Sequence, residues 1–97
     1  MEYSYVYILK CADETFYTGL TTDLDKRVQE HQEGKHNNSY TSKRRPVELV
    51  YFSQFTDINI AIEFEKKIKK WSQAKKLALI ENRYEDLPHL AKKIFKK

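Results

Sequence analysis

Residues 4–20 read SYVYILKCADETFYTGL, and this stretch decides the fold. Its two ends, 4–10 and 16–20, are rich in β-branched and aromatic side chains, whereas the polar segment CADET lies between them. β-Branched and aromatic residues favour strands, and a short polar connection between two such runs is typical of a hairpin. The stretch therefore predicts an antiparallel β-hairpin.

Alternation along the two predicted strands assigns their side chains to two faces of the sheet. One face carries Tyr5, Tyr7, Leu9, Tyr17 and Gly19. The opposite face carries Val6, Ile8, Phe16, Thr18 and Leu20. Because each face includes apolar groups, we expect both to be covered by other elements.

Downstream of the hairpin, the sequence predicts a helix over about residues 23–33. Thr22 precedes Asp25 by three residues, which resembles a capping box, and Gly34 offers a stop. Residues 34–46 are polar, basic and closed by a proline, so they predict a mobile surface loop.

The remainder of the chain predicts a third strand at 47–55, a second helix capped by Thr56 or Asp57, and a third helix from Ser72. Helical spacing assigns the inward positions of the second helix to Ile58, Ala61, Ile62, Glu65, Ile68 and Ser72. The predicted fold class is α+β, a three-stranded antiparallel sheet flanked by helices in the order β-β-α-β-α-α.

Ninety-seven residues suffice for one core but not for two independent domains. We expect a domain over residues 1–83 and a basic extension over 84–97, forming a short helix after Pro88 that packs on the same domain. The single cysteine, Cys11, excludes an internal disulfide. With no apolar run long enough to cross a bilayer and no secretory leader, we expect a cytoplasmic protein without membrane contact.

The distribution of charge says more than the net charge of +4. Residues 43–45 form one basic block, and residues 66–76 hold six lysines and no acid. A solvated helix face is the ordinary explanation of each block taken alone. Together they predict a basic surface for nucleic acid, with candidate binding residues Lys43, Arg44, Arg45, Lys66, Lys69 and Lys76.

Three charged or polar side chains stand out on the predicted helices. Arg27 and His31 are four residues apart and share one helix face. The ordinary alternatives are an arginine that extends over the core edge and a histidine that bonds a backbone carbonyl. Glu65 interrupts an apolar stripe, so its carboxylate needs a metal, a water-filled cleft or a structural partner such as an arginine.

These residues together resemble the GIY-YIG nuclease superfamily. The resemblance lies in YVY at 5–7, YTG at 17–19, then Arg27, His31 and a distant helical glutamate. More narrowly, it resembles the small, stand-alone, largely uncharacterised bacterial members, through YTGLTTDLDKRVQEH, YTSKRRPVELVYF and IEFEKKIKKW. The likeness covers roughly residues 3–82. A single tripeptide is a weak signal, but five positions in order are a strong one.

The resemblance implies metal-dependent hydrolysis of phosphodiesters, in DNA in particular, by an endonuclease or structure-selective nuclease of repair or recombination. It implies one divalent ion, Mg²⁺ or Mn²⁺, held by Glu65, with Glu63 as the neighbouring alternative. Tyr17 would take part in removing a proton from the attacking water, and Tyr7 would support the hydrogen bonds around it. Arg27 would clamp the phosphate. His31 would orient or deprotonate the Tyr17 side of the site.

The sequence also departs from the family pattern. The first motif reads Tyr5-Val6-Tyr7 without its glycine, and Asn82 is a poor match for the asparagine that many members carry after the metal glutamate, so Lys76 is the substitute that we consider. These departures keep a rival open, a nucleic-acid-binding module that retains the fold without turnover. An adaptor acting through protein contacts is a third hypothesis, although no motif indicates a protein partner.

Overall fold

The computed structural model of the chain describes residues 2–35 and 39–81, and the predicted helix in 84–97 lies outside them, as do Asn82 and His36. The elements are β1 (Ser4–Lys10), β2 (Phe16–Thr21), α1 (Leu24–Glu33), α2 (Ser39–Ser42), β3 (Glu48–Phe55), α3 (Ile58–Lys69) and α4 (Gln73–Ile80). The predicted α+β class and the order of the main elements are confirmed. In these two ranges no helix is long and apolar enough to cross a membrane.

The sheet is antiparallel throughout, in the order β2-β1-β3. The central strand β1 pairs Tyr7 with Gly19 of β2 on one side and with Phe52 of β3 on the other. The β1–β3 register shifts between Ile8 and Leu9. The predicted hairpin is therefore one half of the sheet, and its second strand is an edge.

Each face of the sheet has its own core, as the alternation predicts. On one face, which we call the α3 face, a cluster is made by Val6, Ile8, Ala61, Phe64, Ile68, Ala78 and Leu79. On the other, the α1 face, the cluster is Tyr7, Leu9, Cys11 and Val47, with Tyr17, Leu24, Val28, Tyr40 and Leu49 packed against it. Cys11 is thus a packing residue, and Trp71 lies against the first cluster.

Local signals set the helix ends. The N-cap of α1 is Asp23, which accepts from the backbone N–H of Lys26, and not Thr22 as the capping-box pattern predicts. A carboxylate at this position also complements the helix dipole. Gly34 ends α1 with φ of 72°, as expected of a left-handed C-cap. Asp57 and Ser72 cap α3 and α4, in line with the prediction.

Two predictions about this part of the chain are wrong. Residues 34–46 are not a loop throughout, because α2 forms within them and packs on α1. The phase of α3 is also shifted, since its buried side chains are Ala61, Phe64 and Ile68, while Ile58 is exposed. Phe64 takes the inward place that helical counting gives to Glu65. The glutamate therefore lies beside the buried stripe and not at its centre.

Candidate active site

Tyr7 lies flat across the neighbouring strand because Gly19 has no side chain. A Cβ built on Gly19 would collide with Cζ and Oη of Tyr7, which pairs with it across the hairpin. A glycine inside a strand weakens the sheet and so marks a close approach. Here the group that approaches is the phenol of Tyr7, which is completely buried. The YTG motif therefore makes the room that the first tyrosine occupies.

A buried line of hydrogen bonds runs from β1 through α1 to α2. Tyr7 Oη is 2.9 Å from Nε2 of His31, and Nδ1 of His31 is 2.8 Å from Oγ1 of Thr41. All three side chains are at most 1% exposed. His31 thus has a structural place in the core, but its partners are side chains and not the backbone carbonyl of the ordinary explanation.

Tyr17 adds an aromatic layer over this line. Its ring centroid is 5.2 Å from that of His31 and 6.4 Å from that of Tyr7. On its other side it meets Tyr40 of α2 at 6.1 Å. Tyr17 is half-buried, whereas Tyr7 is sealed. Of the two tyrosines, Tyr17 is therefore the one that reaches the surface of the cluster.

The hydrogen bond of His31 joins it to the first tyrosine. Nε2 of His31 is bonded to Tyr7, while the His31 ring also lies beside Tyr17, the residue next to which the family resemblance puts it. Tyr7 reaches His31 because its side chain extends from the central strand over Gly19 toward α1.

Arg27 lies at the open side of the cluster. Its Nη1 donates to the carbonyl oxygen of Leu20 at 3.4 Å, and its Nε is 3.4 Å from a carboxylate oxygen of Glu30. About 30% of its side chain is exposed. It borders a cavity of about 330 Å³ whose lining is Thr21, Thr22, Asp23, Lys26, Arg27 and Glu30. A guanidinium at the wall of a polar cavity is well placed to meet a phosphate.

Burial raises the pKa of Tyr7 to about 12, because the charged phenolate has no water around it. The nearby Arg27 guanidinium acts in the opposite direction but does not prevail. At neutral pH, Tyr7 is consequently a neutral phenol. A buried phenol with this pKa is a poor base but a sound hydrogen-bond donor.

Glu65 is placed on α3, which packs mainly against β2, the strand that carries Tyr17. Its side chain is 14% exposed, and a carboxylate oxygen is 3.4 Å from Nζ of Lys69 one turn later. Lys69 is 61% exposed, so this pair is of the surface kind that contributes little to stability. Glu63 is exposed, which favours Glu65 over Glu63 as the recessed carboxylate.

The residues present fit one hydrated divalent ion. Among the described residues, no group of three or more His, Cys, Asp or Glu side chains is placed to hold a metal. Mg²⁺ typically keeps several waters and takes one or two carboxylates together with substrate phosphates. Glu65 is a recessed carboxylate whose one ion pair within the described ranges is with the solvated Lys69, so Glu65 would hold such an ion.

The predicted basic residues differ in their exposure and in their contacts with the rest of the protein. Lys43, Arg45 and Lys66 are exposed. Arg44 is engaged internally, since its Nε is 2.9 Å from Oδ2 of Asp13, its guanidinium stacks 3.9 Å from the ring of Tyr40, and its Nη1 donates to the Tyr40 carbonyl. Arg44 therefore fastens α2 to the hairpin turn, a role that sequence reasoning missed.

Lys76 is unlike the other lysines. It is only 8% exposed, and within residues 2–35 and 39–81 it forms no ion pair with a carboxylate. Burial lowers the pKa of its ammonium, and the charge of Lys69 lowers it further. A desolvated cation without an anion is costly to a folded protein. A phosphate oxygen is one kind of group that can bond such an ammonium.

The structure thus brings four of the five predicted residues, Tyr7, Tyr17, Arg27 and His31, into one cluster on the α1 face. Glu65 belongs to α3 on the other side of the sheet, beside the edge strand β2. Sequence reasoning missed Thr41 as a partner of His31. Its only signal is a hydroxyl in a polar stretch, YTS, which many loops share.

Comparison with known proteins identifies the family to which the chain is similar. The profile of the GIY-YIG catalytic domain matches residues 3–78. A UPF0213 protein of Syntrophus aciditrophicus is 48% identical over 80 residues, which is 82% of this chain and 92% of that protein. A UPF0213 protein of Haloquadratum walsbyi is 45% identical over 80 residues, covering 82% and 89% of the two chains.

Two solved structures have a similar fold. The solution structure of a UPF0213 protein from Bacillus halodurans matches with a TM-score of 0.54 and 40% identity, covering 81% of this chain and 83% of that one. A solution structure of a protein from E. faecalis matches with a TM-score of 0.59 and 31% identity, covering 87% and 92%. Both likenesses span most of both chains.

Proposed function

This chain belongs to the GIY-YIG catalytic domain family, and from that premise we propose that it is a metal-dependent nuclease that hydrolyses phosphodiesters in DNA. The observation that carries the proposal is the convergence of Tyr7, Tyr17, Arg27 and His31 on one side of the sheet, beside a polar cavity. Packing alone does not require a sealed phenol–imidazole pair next to a partly exposed guanidinium.

Each of these side chains is suited to a separate part of hydrolysis. Arg27 binds the non-bridging oxygens of the scissile phosphate and offsets the charge that develops there. Tyr17, whose ring reaches the surface of the cluster, contacts the attacking water and takes part in removing its proton. Tyr7 and His31 support Tyr17 from below through the ring contacts and the 2.9 Å hydrogen bond.

A divalent ion, Mg²⁺ or Mn²⁺, is expected at Glu65. When bound, such an ion stabilises negative charge on the phosphate and helps to generate the nucleophile. The pair that Glu65 forms with Lys69 is weak enough to give way to an ion. Calorimetric titration of the DNA-free protein with Mn²⁺ tests this assignment. Glu65→Gln is expected to abolish binding and Glu63→Gln, a matched change at an exposed position, to leave it intact.

The nucleic acid is expected to follow the basic surface. Exposed Lys43, Arg45 and Lys66, together with the recessed Lys76, are the residues that we assign to backbone phosphates. Such contacts release counterions and weaken as the salt concentration rises. Lys69 is available to a phosphate once it leaves Glu65. Arg44 contributes indirectly, by holding α2.

Incubation of the purified protein with nicked, flapped and branched DNA in Mg²⁺ or Mn²⁺ tests the proposed activity. We expect cleavage that falls by about 100-fold or more in Arg27→Ala and in Glu65→Ala, the order of loss typical when a charge-stabilising group is removed. Glu63→Ala serves as the control on α3. Cleavage that persists unchanged in both active-site variants would exclude the assignment.

The rival function is a nucleic-acid-binding module without turnover. Two observations favour it: Lys69 forms an ion pair with the Glu65 carboxylate, and the first motif, Tyr5-Val6-Tyr7, lacks the glycine of the family pattern. This rival predicts salt-dependent binding that needs no metal and ignores Glu65→Ala. Binding of that kind, with none of the three DNA substrates cut, would establish the module in place of the nuclease.

A further inference from the structure

We propose that Thr41 is a positioning residue of the site, whose hydroxyl oxygen holds His31 in the tautomer that carries its proton on Nδ1. Thr41 Oγ1 is 2.8 Å from that nitrogen and is 1% exposed. Its consequence for cleavage rests on the proposed function, whereas the tautomer is a property of the free protein. A neutral imidazole has one donor and one acceptor nitrogen, so the choice made at Nδ1 decides what Nε2 can do.

The phenol proton of Tyr7 shows which of the two tautomers is present. The Tyr7 side chain is completely buried, so no bulk water can accept this proton, and Oη lies 2.9 Å from Nε2 of His31. If Nε2 carried a hydrogen, the phenol would have to accept from it and leave its own proton without an acceptor. An unmade buried hydrogen bond costs about 1–3 kcal/mol. Tyr7 therefore donates to a bare Nε2, and the imidazole proton lies on Nδ1, facing Thr41.

Arg27 favours the same arrangement from the opposite side. Its guanidinium has donors only, and its charge acts on the oxygen of Tyr7. When Tyr7 donates its proton to His31, the Tyr7 oxygen can only accept from Arg27, which matches a guanidinium that can only donate. In the other tautomer the phenol proton would have to point away from Nε2, while the positive charge of Arg27 acts on the phenol oxygen. The direction of donation is therefore set across three elements: the Tyr7 hydroxyl of β1 donates to Nε2 of His31 on α1, and Nδ1–H of His31 donates to Oγ1 of Thr41 on α2.

Contacts made by Arg44 hold the segment that carries Thr41 in place. Arg44 stacks on Tyr40, donates to its carbonyl oxygen and bonds Asp13 in the hairpin turn. Arg44 N–H also donates to the carbonyl oxygen of Thr41 at 3.0 Å. We call residues 40–44 the clip. The clip presents the Thr41 hydroxyl to His31 from a segment that is fastened at both ends.

Nuclear magnetic resonance of the DNA-free protein tests the tautomer directly. In ¹⁵N-labelled wild-type protein near pH 8, the ring nitrogen shifts of His31 are expected to be those of a protonated Nδ1 and a bare Nε2. A protonated Nε2 would overturn the proposal. This readout needs no variant and no enzymatic activity, so it stands even where a substitution prevents folding.

Variants at position 41 test the cause. Thr41→Val removes the oxygen at nearly constant volume, and we expect the ratio of the two tautomers to move by about fivefold or more, since one net hydrogen bond is lost. Thr41→Ser keeps the oxygen and is expected to restore the wild-type ratio. Thr56→Val, at an exposed position, is the control. An unchanged ratio in folded Thr41→Val would overturn the role of Thr41.

Cleavage of nicked or branched DNA gives the functional arm. Thr41→Val is expected to slow cleavage about tenfold or more, as loss of an orienting partner commonly does, and Thr41→Ser to stay within about threefold of wild type. If Thr41→Val alters the tautomer but cuts as fast as wild type, Thr41 is structural only. If wild-type protein cuts nothing, the proposed nuclease fails, while the spectra still decide the tautomer.

Discussion

The Tyr7 side chain fills the space that a side chain on Gly19 of the neighbouring strand would need, and the candidate site depends on this pair. The phenol needs the room of a missing side chain, and the glycine has no other evident reason to lie inside a strand. Sequence alone predicts that something approaches Gly19. It cannot predict that the approaching group is Tyr7, because that depends on the register of the hairpin, which a shift of one residue would reverse.

Gly19→Ala is expected to destabilise the protein by about 1–3 kcal/mol, because the new methyl group overpacks the site. Denaturant unfolding measures the loss. Tyr7→Phe removes Oη, one of the three Tyr7 atoms that collide with the added Cβ. The two changes should therefore couple in a double-mutant cycle, with the alanine costing less beside phenylalanine. Strict additivity of the two free energies would contradict the clash.

The raised pKa of Tyr7 predicts an alkaline limit to stability. Its pKa is about 12 when folded and about 10 when unfolded, so its contribution is fully present below pH 10 and is lost as the pH rises from 10 through 12. The loss amounts to about 2–3 kcal/mol in the free energy of unfolding. Tyr7→Phe is expected to lack this component. Parallel unfolding curves for wild type and variant from pH 9 to 12 would contradict it.

At the scale of elements, local signals were sufficient where an element is self-contained. The hairpin, the stop at Gly34 and the caps Asp57 and Ser72 all depend on residues within a few positions. The phase of α3 depends instead on tertiary packing. Ile62 and Phe64 are both apolar, and packing against the sheet determines that Phe64 is the buried one. The contact of Thr41 with His31 also joins two different helices, α1 and α2, which no periodicity within one helix reports.

Arg44→Ala is expected to act through the clip. The loss of the stacking on Tyr40 and of the bond to Asp13 should lower the free energy of unfolding by about 1–2 kcal/mol. Lys43→Ala, at the exposed neighbour, should leave stability within about 0.5 kcal/mol and weaken DNA binding. Thermal unfolding and DNA titration of the two variants separate these effects. If Arg44→Ala leaves the free energy of unfolding unchanged, Arg44 does not stabilise the clip and belongs with the exposed basic residues such as Lys43.

Lys76→Met is expected to change stability and binding in opposite directions. Removing a desolvated cation that lacks a carboxylate partner in the described part of the chain should raise the free energy of unfolding, by about 0.5–2 kcal/mol. The same change should weaken DNA binding. Lys75→Met, one position earlier on α4, is the matched control and should do neither to the same extent. A loss of stability in Lys76→Met would show that the ammonium already has a partner.

For the whole molecule, the sheet separates two tasks. The α1 face holds Tyr7, Tyr17, His31 and Arg27, whereas α3 and α4 on the other face carry Glu65 and five lysines. The strand β2 joins the two sets, because it carries Tyr17 and packs against α3. Sequence patterning predicts that both faces are covered, but it assigns no side chain to the edge. The position of Glu65 relative to the cluster of Tyr7, Tyr17, Arg27 and His31 therefore could not be predicted from the sequence.

The net charge of +4 is modest, so affinity should depend on where the lysines lie. We expect the logarithm of the DNA-binding constant to fall linearly with the logarithm of the salt concentration. Each of Lys43→Gln, Arg45→Gln and Lys66→Gln should reduce the slope by about 1 if that residue contacts a phosphate. Fluorescence titrations from 50 to 300 mM salt measure it. Lys35→Gln, remote from these blocks in sequence and exposed, provides the comparison.

The pairing of Tyr7 with Gly19 has a consequence for anyone who redesigns this sheet. Glycine is a poor strand former, so a design procedure that rewards strand propensity would replace Gly19 and shorten Tyr7 to fit. The resulting hairpin would be sound, and both faces would still be covered. His31 would nevertheless lose the phenol that is bonded to it, and the product would be a well-folded scaffold without the support that we propose for Tyr17.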